Sequence, residues 1–142
     1  MRTPMALAFS PCPNDTFIFY AWVHGLISGA PAVAPVLADI DELNARALRG
    51  ETDVTKLSFA AFARVRDRYA LLHAGGALGR GCGPLLVVRE AAPVREPEDL
   101  VRARIAIPGD LTTAALLLRL RLPGARRLVV MRFDEIMPAV AA

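Results

Sequence analysis

Three short segments bring together residue types that can hold a polar small molecule. In Ser10-Pro11-Cys12-Pro13-Asn14-Asp15-Thr16, two prolines stiffen the backbone while Asn14 and Thr16 offer donors and acceptors to an approaching ligand. In Thr55-Lys56-Leu57-Ser58, an ammonium and a hydroxyl stand two positions apart, and both can meet an anion. Lys56 is the only lysine, against sixteen arginines, although one rare residue can also stand where it does by chance. In Pro108-Gly109-Asp110-Leu111-Thr112-Thr113-Ala114, successive hydroxyls and backbone N–H groups suit a carboxylate or a phosphate. Each segment has a plainer reading of similar weight, in which its polar residues simply cap a helix.

The elements that would position these loops alternate along the chain, β-rich runs with amphipathic ones, as in βαβ units feeding a largely parallel sheet. The fold class is therefore α/β. Met5–Ser10 reads as a strand and is followed by a helix to about Leu26, with N-cap chemistry from Asn14, Asp15 and Thr16. Val33–Ala38 is a second strand. Asp39 then opens a helix as its cap, with Glu42 in the N3 position of a capping box, and Gly50 closes it. Asp53–Leu57 is a third strand, Ser58 caps a helix with Phe59, Phe62 and Val65 on its apolar face, and Tyr69–His73 begins a fourth strand.

After the glycine-rich stretch Gly75–Gly83 come a strand at Pro84–Arg89, a helix near Glu98–Val101, strand Arg104–Ile107, helix Thr112–Leu122, strand Leu128–Met131 and a helix starting at Asp134. Residues 1–88 are expected to form a first lobe and 89–142 a partial second one. In parallel sheets the ligand crevice lies beyond the carboxyl ends of the strands, where all three polar loops fall. A second sheet this short leaves apolar surface that a second copy of the chain could cover, so a homo-oligomer is one expectation.

Composition narrows the function classes. The net charge of +3 is spread among fourteen acidic residues without a basic run beyond Arg126–Arg127, which argues against a nucleic-acid partner. Charged residues or prolines break every apolar stretch before membrane-spanning length, and the N-terminal apolar run is too short for a secretory signal, so a cytoplasmic location away from the membrane is expected. Cys12 and Cys82 have no metal-ligand spacing. Gly79-Arg80-Gly81-Cys82-Gly83 precedes a strand where a dinucleotide fingerprint needs a helix, and the Thr112 loop lacks the GxxxxGK of a P-loop. His24 and His73 read as structural, and Cys12, ahead of a helix N-terminus, is at most a weak nucleophile candidate.

The strings FSPCPNDTFIFYAWVHG, DIDELNARALRGETDVTKLSFAAFA, GGALGRGCGPLLV, IAIPGDLTTAALLL and FDEIMPAV, in that order between Met5 and Val140, resemble the 1,4-dihydroxy-6-naphthoate synthase family of the futalosine route to menaquinone. The resemblance implies a two-lobed, type II periplasmic-binding-protein-like fold, its first lobe nearly complete here and its second truncated, with substrate held between lobes. It implies a carbon–carbon lyase that converts cyclic dehypoxanthine futalosine to 1,4-dihydroxy-6-naphthoate without a metal or organic cofactor. Its substrate-contacting motifs fall on Lys56, Leu57 and Ser58 and on Thr113 and Ala114, with Thr112 adjacent and Asn14 and Asn44 as further matches. The family's proton-acceptor histidine follows the FDEIMPAV segment, beyond Ala142, so the 142-residue chain is expected to bind substrate and not to turn it over. A solute-binding module without catalysis, or an inactive truncated product, are the alternatives.

Overall fold

The run Met5–Phe9 is small and apolar enough to be covered on both faces, and it forms the central strand, β1, of a three-stranded parallel sheet. In the computed structural model, which describes residues 3–76 and 78–142, β1 pairs with β2 (Val33–Leu37) in the register Met5 to Val33 through Phe9 to Leu37. On its other side lies the two-residue β3 (Val54–Thr55), which pairs with Leu7 and Ala8, giving the order β2-β1-β3. The chain divides into two compact units, Met1–Leu78 and Gly79–Ala142, and this sheet belongs to the first.

Its helices are α1 (Pro13–Val23), α2 (Ile40–Arg49) and α3 (Phe59–Val65). Leu7, Phe9 and Phe19 are buried with Ile18, Trp22, Val33 and Val54 packed around them, and the Phe9 and Phe19 rings lie 4.9 Å apart between centroids. Asp39 caps α2 by accepting the Ile40 N–H at 2.8 Å, and Gly50 ends the helix in the left-handed region at φ 72°.

Four local expectations are corrected. Helix α1 begins at Pro13, with Cys12 in the cap position, because proline suits a first turn that needs no N–H donor. Asn14, Asp15 and Thr16 therefore lie inside the helix. Glu42 does not close a capping box; it accepts from Arg46 at 2.9 Å and Arg49 at 3.3 Å on the exposed face of α2. Phe59 is 64% exposed, and α3 buries Ala61 and Val65. Tyr69–His73 forms no strand; the Tyr69 hydroxyl donates to the Thr52 carbonyl at 2.8 Å and ties the segment back by a side chain.

The second unit contains a parallel pair, β4 (Ile105–Ile107) and β5 (Leu128–Val130), with helices α4 (Thr113–Arg121) and α5 (Phe133–Ala141). A 3₁₀ segment, Pro97–Arg102, stands where a helix is expected near Glu98–Val101. The core is Leu100, Ile107, Ala115, Leu118, Leu122 and Ala125. Pro84–Arg89 is the other correction, since it forms no strand and Leu85 is 84% exposed. Apolar, β-branched composition favours a strand only where a neighbouring ladder exists to pair with. Among the described residues, no helix is long and apolar enough to cross a membrane.

Candidate functional site

In the first unit the carboxyl ends of β1 and β3 bring the Ser10 and Lys56 loops together. The backbone N–H of Lys56 still donates to the Ala8 carbonyl at 2.8 Å, which fixes the lysine at the sheet's edge. Its ammonium lies 3.1 Å from Asp15 Oδ1 and donates to the Gly75 carbonyl at 3.2 Å. The Asp15 side chain is only 6% exposed and that of Lys56 20%. The other carboxylate oxygen, Oδ2, accepts from the Ser10 backbone N–H at 3.1 Å and the Ser10 hydroxyl at 2.8 Å. A buried carboxylate in the first turn of α1 thus meets two hydrogen-bond donors, one cation and a helix N-terminus.

Two positions further on, Ser58 is locked to α2. Its backbone N–H donates to Asn44 Oδ1 at 3.0 Å, and Asn44 Nδ2 donates to the Ser58 hydroxyl oxygen at 3.2 Å. Ser58 occupies the cap position of α3, but its side chain faces Asn44 in place of capping the helix. Of the residues singled out from sequence, Lys56, Leu57, Ser58 and Asn44 therefore share one cluster. Leu57 is half-buried within it, and Asn14 lies exposed in the first turn of α1. The sequence alone marks Asp15 only as cap chemistry. The signal for its larger part is that a half-buried lysine at a strand end requires a counter-charge, and the loop after the neighbouring strand offers one.

In the second unit the β4–α4 loop carries the third set. Thr112 is buried and caps α4: its hydroxyl donates to the Gly109 carbonyl at 2.8 Å and accepts the Ala115 N–H at 3.2 Å. Thr113 is exposed, and Ala114 is half-buried. Their N–H groups stand in the first turn of α4, where the helix supplies no acceptor. Ala114 also lines an apolar groove of about 520 Å³ with Leu86, Ile107, Pro108, Leu117 and Phe133. Arg121 borders the groove and is paired with Glu98 at 2.7 Å, a contact that holds the Glu98 carboxyl below its ordinary range.

Other chemistry is sparse. Cys12 and Cys82 are exposed free thiols, and no group of three or more His, Cys, Asp or Glu side chains among the described residues is placed to hold a metal ion. The geometry supports binding through an ammonium, hydroxyls and backbone N–H groups at the ends of parallel strands.

Polar loops at the carboxyl ends of small parallel strands put the chain in the α/β class, whose ligand crevices generally lie at those ends. Residues 5–142 match a family model described as menaquinone biosynthesis, and the chain belongs to that family. It is 53% identical to the 1,4-dihydroxy-6-naphtoate synthase of Thermus thermophilus and 51% identical to that of Streptomyces coelicolor, each match covering 96% of this chain and 48% of the relative. An X-ray structure of a protein from Archaeoglobus fulgidus matches with a TM-score of 0.85 at 37% identity, over 96% of this chain and 49% of that one. The chain spans about half the length of the curated relatives it matches.

Proposed function

We propose that this chain supplies substrate-binding loops of a 1,4-dihydroxy-6-naphthoate synthase, a cytoplasmic carbon–carbon lyase acting on cyclic dehypoxanthine futalosine in menaquinone synthesis. The observation that carries the reading is the Lys56–Ser58 cluster. It has one ammonium held at a strand end and an adjacent serine held by Asn44, on a chain half-identical to two synthases of that name.

In this reading the Lys56 ammonium donates to a substrate oxygen, while Leu57 and Ser58 shape the wall beside it. Thr113 and Ala114 contribute first-turn N–H groups of α4 and the Thr113 hydroxyl, with Thr112 holding that turn in place. Asn14, exposed at the start of α1, is a further contact. The fold in this reading is periplasmic-binding-protein-like, with lobes expected at residues 1–88 and 89–142.

Ring opening and aromatisation require a proton to be removed next to a carbonyl, by a base whose contribution is typically 10²–10⁴-fold. The resemblance assigns that task to a histidine beyond the FDEIMPAV segment. The residues named above therefore bind and orient, and none of them is the proton acceptor. Calorimetric titration of the 142-residue chain with cyclic dehypoxanthine futalosine, with chromatographic analysis for 1,4-dihydroxy-6-naphthoate, tests this. Saturable binding that weakens in Lys56→Met supports the reading; binding indifferent to that substitution contradicts it.

A further inference from the structure

We propose that Asp15 is the positioning residue of the Lys56 loop: it fixes the ammonium in one orientation, cancels its charge, and so selects a single hydrogen-bond-accepting oxygen over a multiply charged anion. The part concerning ligand rests on the substrate reading above; the fixing of the ammonium does not.

The geometry is specific. The Gly75 carbonyl accepts from the Lys56 ammonium at 3.2 Å, and Asp15 Oδ1 stands beside the ammonium as its ion-pair partner at 3.1 Å, so donor capacity remains for a ligand. Asp15 cannot swing away with the lysine, because its Oδ2 accepts both the N–H and the hydroxyl of Ser10, whose loop two prolines stiffen. Chains of this kind, from backbone to serine to carboxylate to ammonium, turn a flexible four-carbon stem into a fixed donor.

Electrostatics follows from the same contacts. With the pair neutral overall and mostly removed from water, a dianion such as phosphate gains little net attraction at Lys56. A carbonyl, hydroxyl or single carboxylate oxygen gains a directed N–H donor without competing for the full charge. Asp15 thereby sets the class of oxygen that this loop accepts.

Because Lys56 is the only lysine, its ammonium can be followed alone in a ¹H–¹⁵N correlation spectrum of the full 142-residue chain, in mildly acidic buffer at low temperature. Wild type is expected to show a resolved ammonium signal, protected from exchange with water by Asp15 and Gly75. In Asp15→Asn the signal should be lost while the amide spectrum stays folded, and in Asp15→Glu it should return in part. A sharp, unshifted signal in Asp15→Asn overturns the proposal. Should that variant fail to fold, Ser10→Ala serves instead: a weakened signal supports the proposal and an unchanged one overturns it.

The ligand arm titrates the same samples with cyclic dehypoxanthine futalosine and, separately, with inorganic phosphate. Affinity for the cyclic compound should fall by about ten- to a hundredfold in Asp15→Asn, the scale of losing one hydrogen bond from a charged donor. Phosphate should bind wild type no better than the variant. Unchanged affinity for the cyclic compound in Asp15→Asn, or tighter phosphate binding by wild type, overturns the selective role. Absence of any response to the cyclic compound in wild type rejects the substrate reading alone, and the ammonium signal still decides for Asp15.

Discussion

Asn44 and Ser58 are joined by two hydrogen bonds of opposite sense, the serine N–H donating to the amide oxygen at 3.0 Å and the amide nitrogen donating to the serine hydroxyl at 3.2 Å. Asn44 is 1% exposed, so the pair fastens the β3–α3 loop to α2 from inside the protein. Asn44→Ala would leave buried polar groups of Ser58 without this partner. We expect a stability loss of about 1–3 kcal/mol, seen as a lower urea midpoint, together with weaker substrate binding. A variant that keeps wild-type stability would show that the pair does not hold the loop.

Lys56→Met removes the counter-charge of a nearly buried carboxylate. Breaking a buried ion pair from one side costs roughly 3–5 kcal/mol, and the partial exposure of Lys56 places the expected loss at or below the lower end of that range. Lys56→Met combined with Asp15→Asn should recover part of it, since the stranded charge is then gone. Chemical denaturation of the two single variants and the double variant measures the coupling, and strict additivity would contradict it.

Thr112 and Thr113 separate capping from binding. The Thr112 hydroxyl closes the first turn of α4, so Thr112→Ala should cost about 0.5–2 kcal/mol and Thr112→Ser much less. Thr113 is exposed, and Thr113→Ala should leave stability within about 0.5 kcal/mol while weakening ligand binding. Thermal unfolding beside calorimetry checks both, and an unstable Thr113→Ala variant with intact binding would reverse the assignment.

Acid should loosen the second unit. Asp99 Oδ2 accepts the backbone N–H of Arg95 at 2.8 Å and that of Glu96 at 3.1 Å, which holds its carboxyl below the ordinary carboxylate range. Glu98 beside Arg121 and Asp134 beside Arg132 are lowered in the same direction. A depressed folded-state pKa adds stability that is present above the ordinary carboxylate value and is lost as pH falls through the depressed one. Melting temperature should therefore drop on acidification across that range, and Asp99→Asn should flatten the dependence. An unchanged slope in Asp99→Asn would contradict the assignment to Asp99.

The parts of this fold that were legible in the sequence are those set by neighbours in the chain. Asp39 as a cap, Gly50 as a stop, Thr112 ahead of α4 and the α/β alternation all follow from residues within a turn of one another. The order β2-β1-β3 and the Asp15–Lys56 contact depend on which strands lie side by side, and local patterns do not carry that information. Pro84–Arg89 shows the same limit from the other side: its residues suit a strand, yet pairing needs a neighbour supplied by tertiary structure. Spacing alone puts Phe59 on a buried face of α3, whereas the residues that the helix buries are Ala61 and Val65.

The claim that the Lys56–Ser58 and Thr113–Ala114 loops bind the synthase substrate is tested most directly by backbone amide NMR of the 142-residue chain during addition of cyclic dehypoxanthine futalosine. The method detects weak binding and locates it. The account predicts saturable shifts at Lys56, Leu57, Ser58, Thr113 and Ala114. Shifts confined to other residues, or no shifts at millimolar ligand, would contradict it.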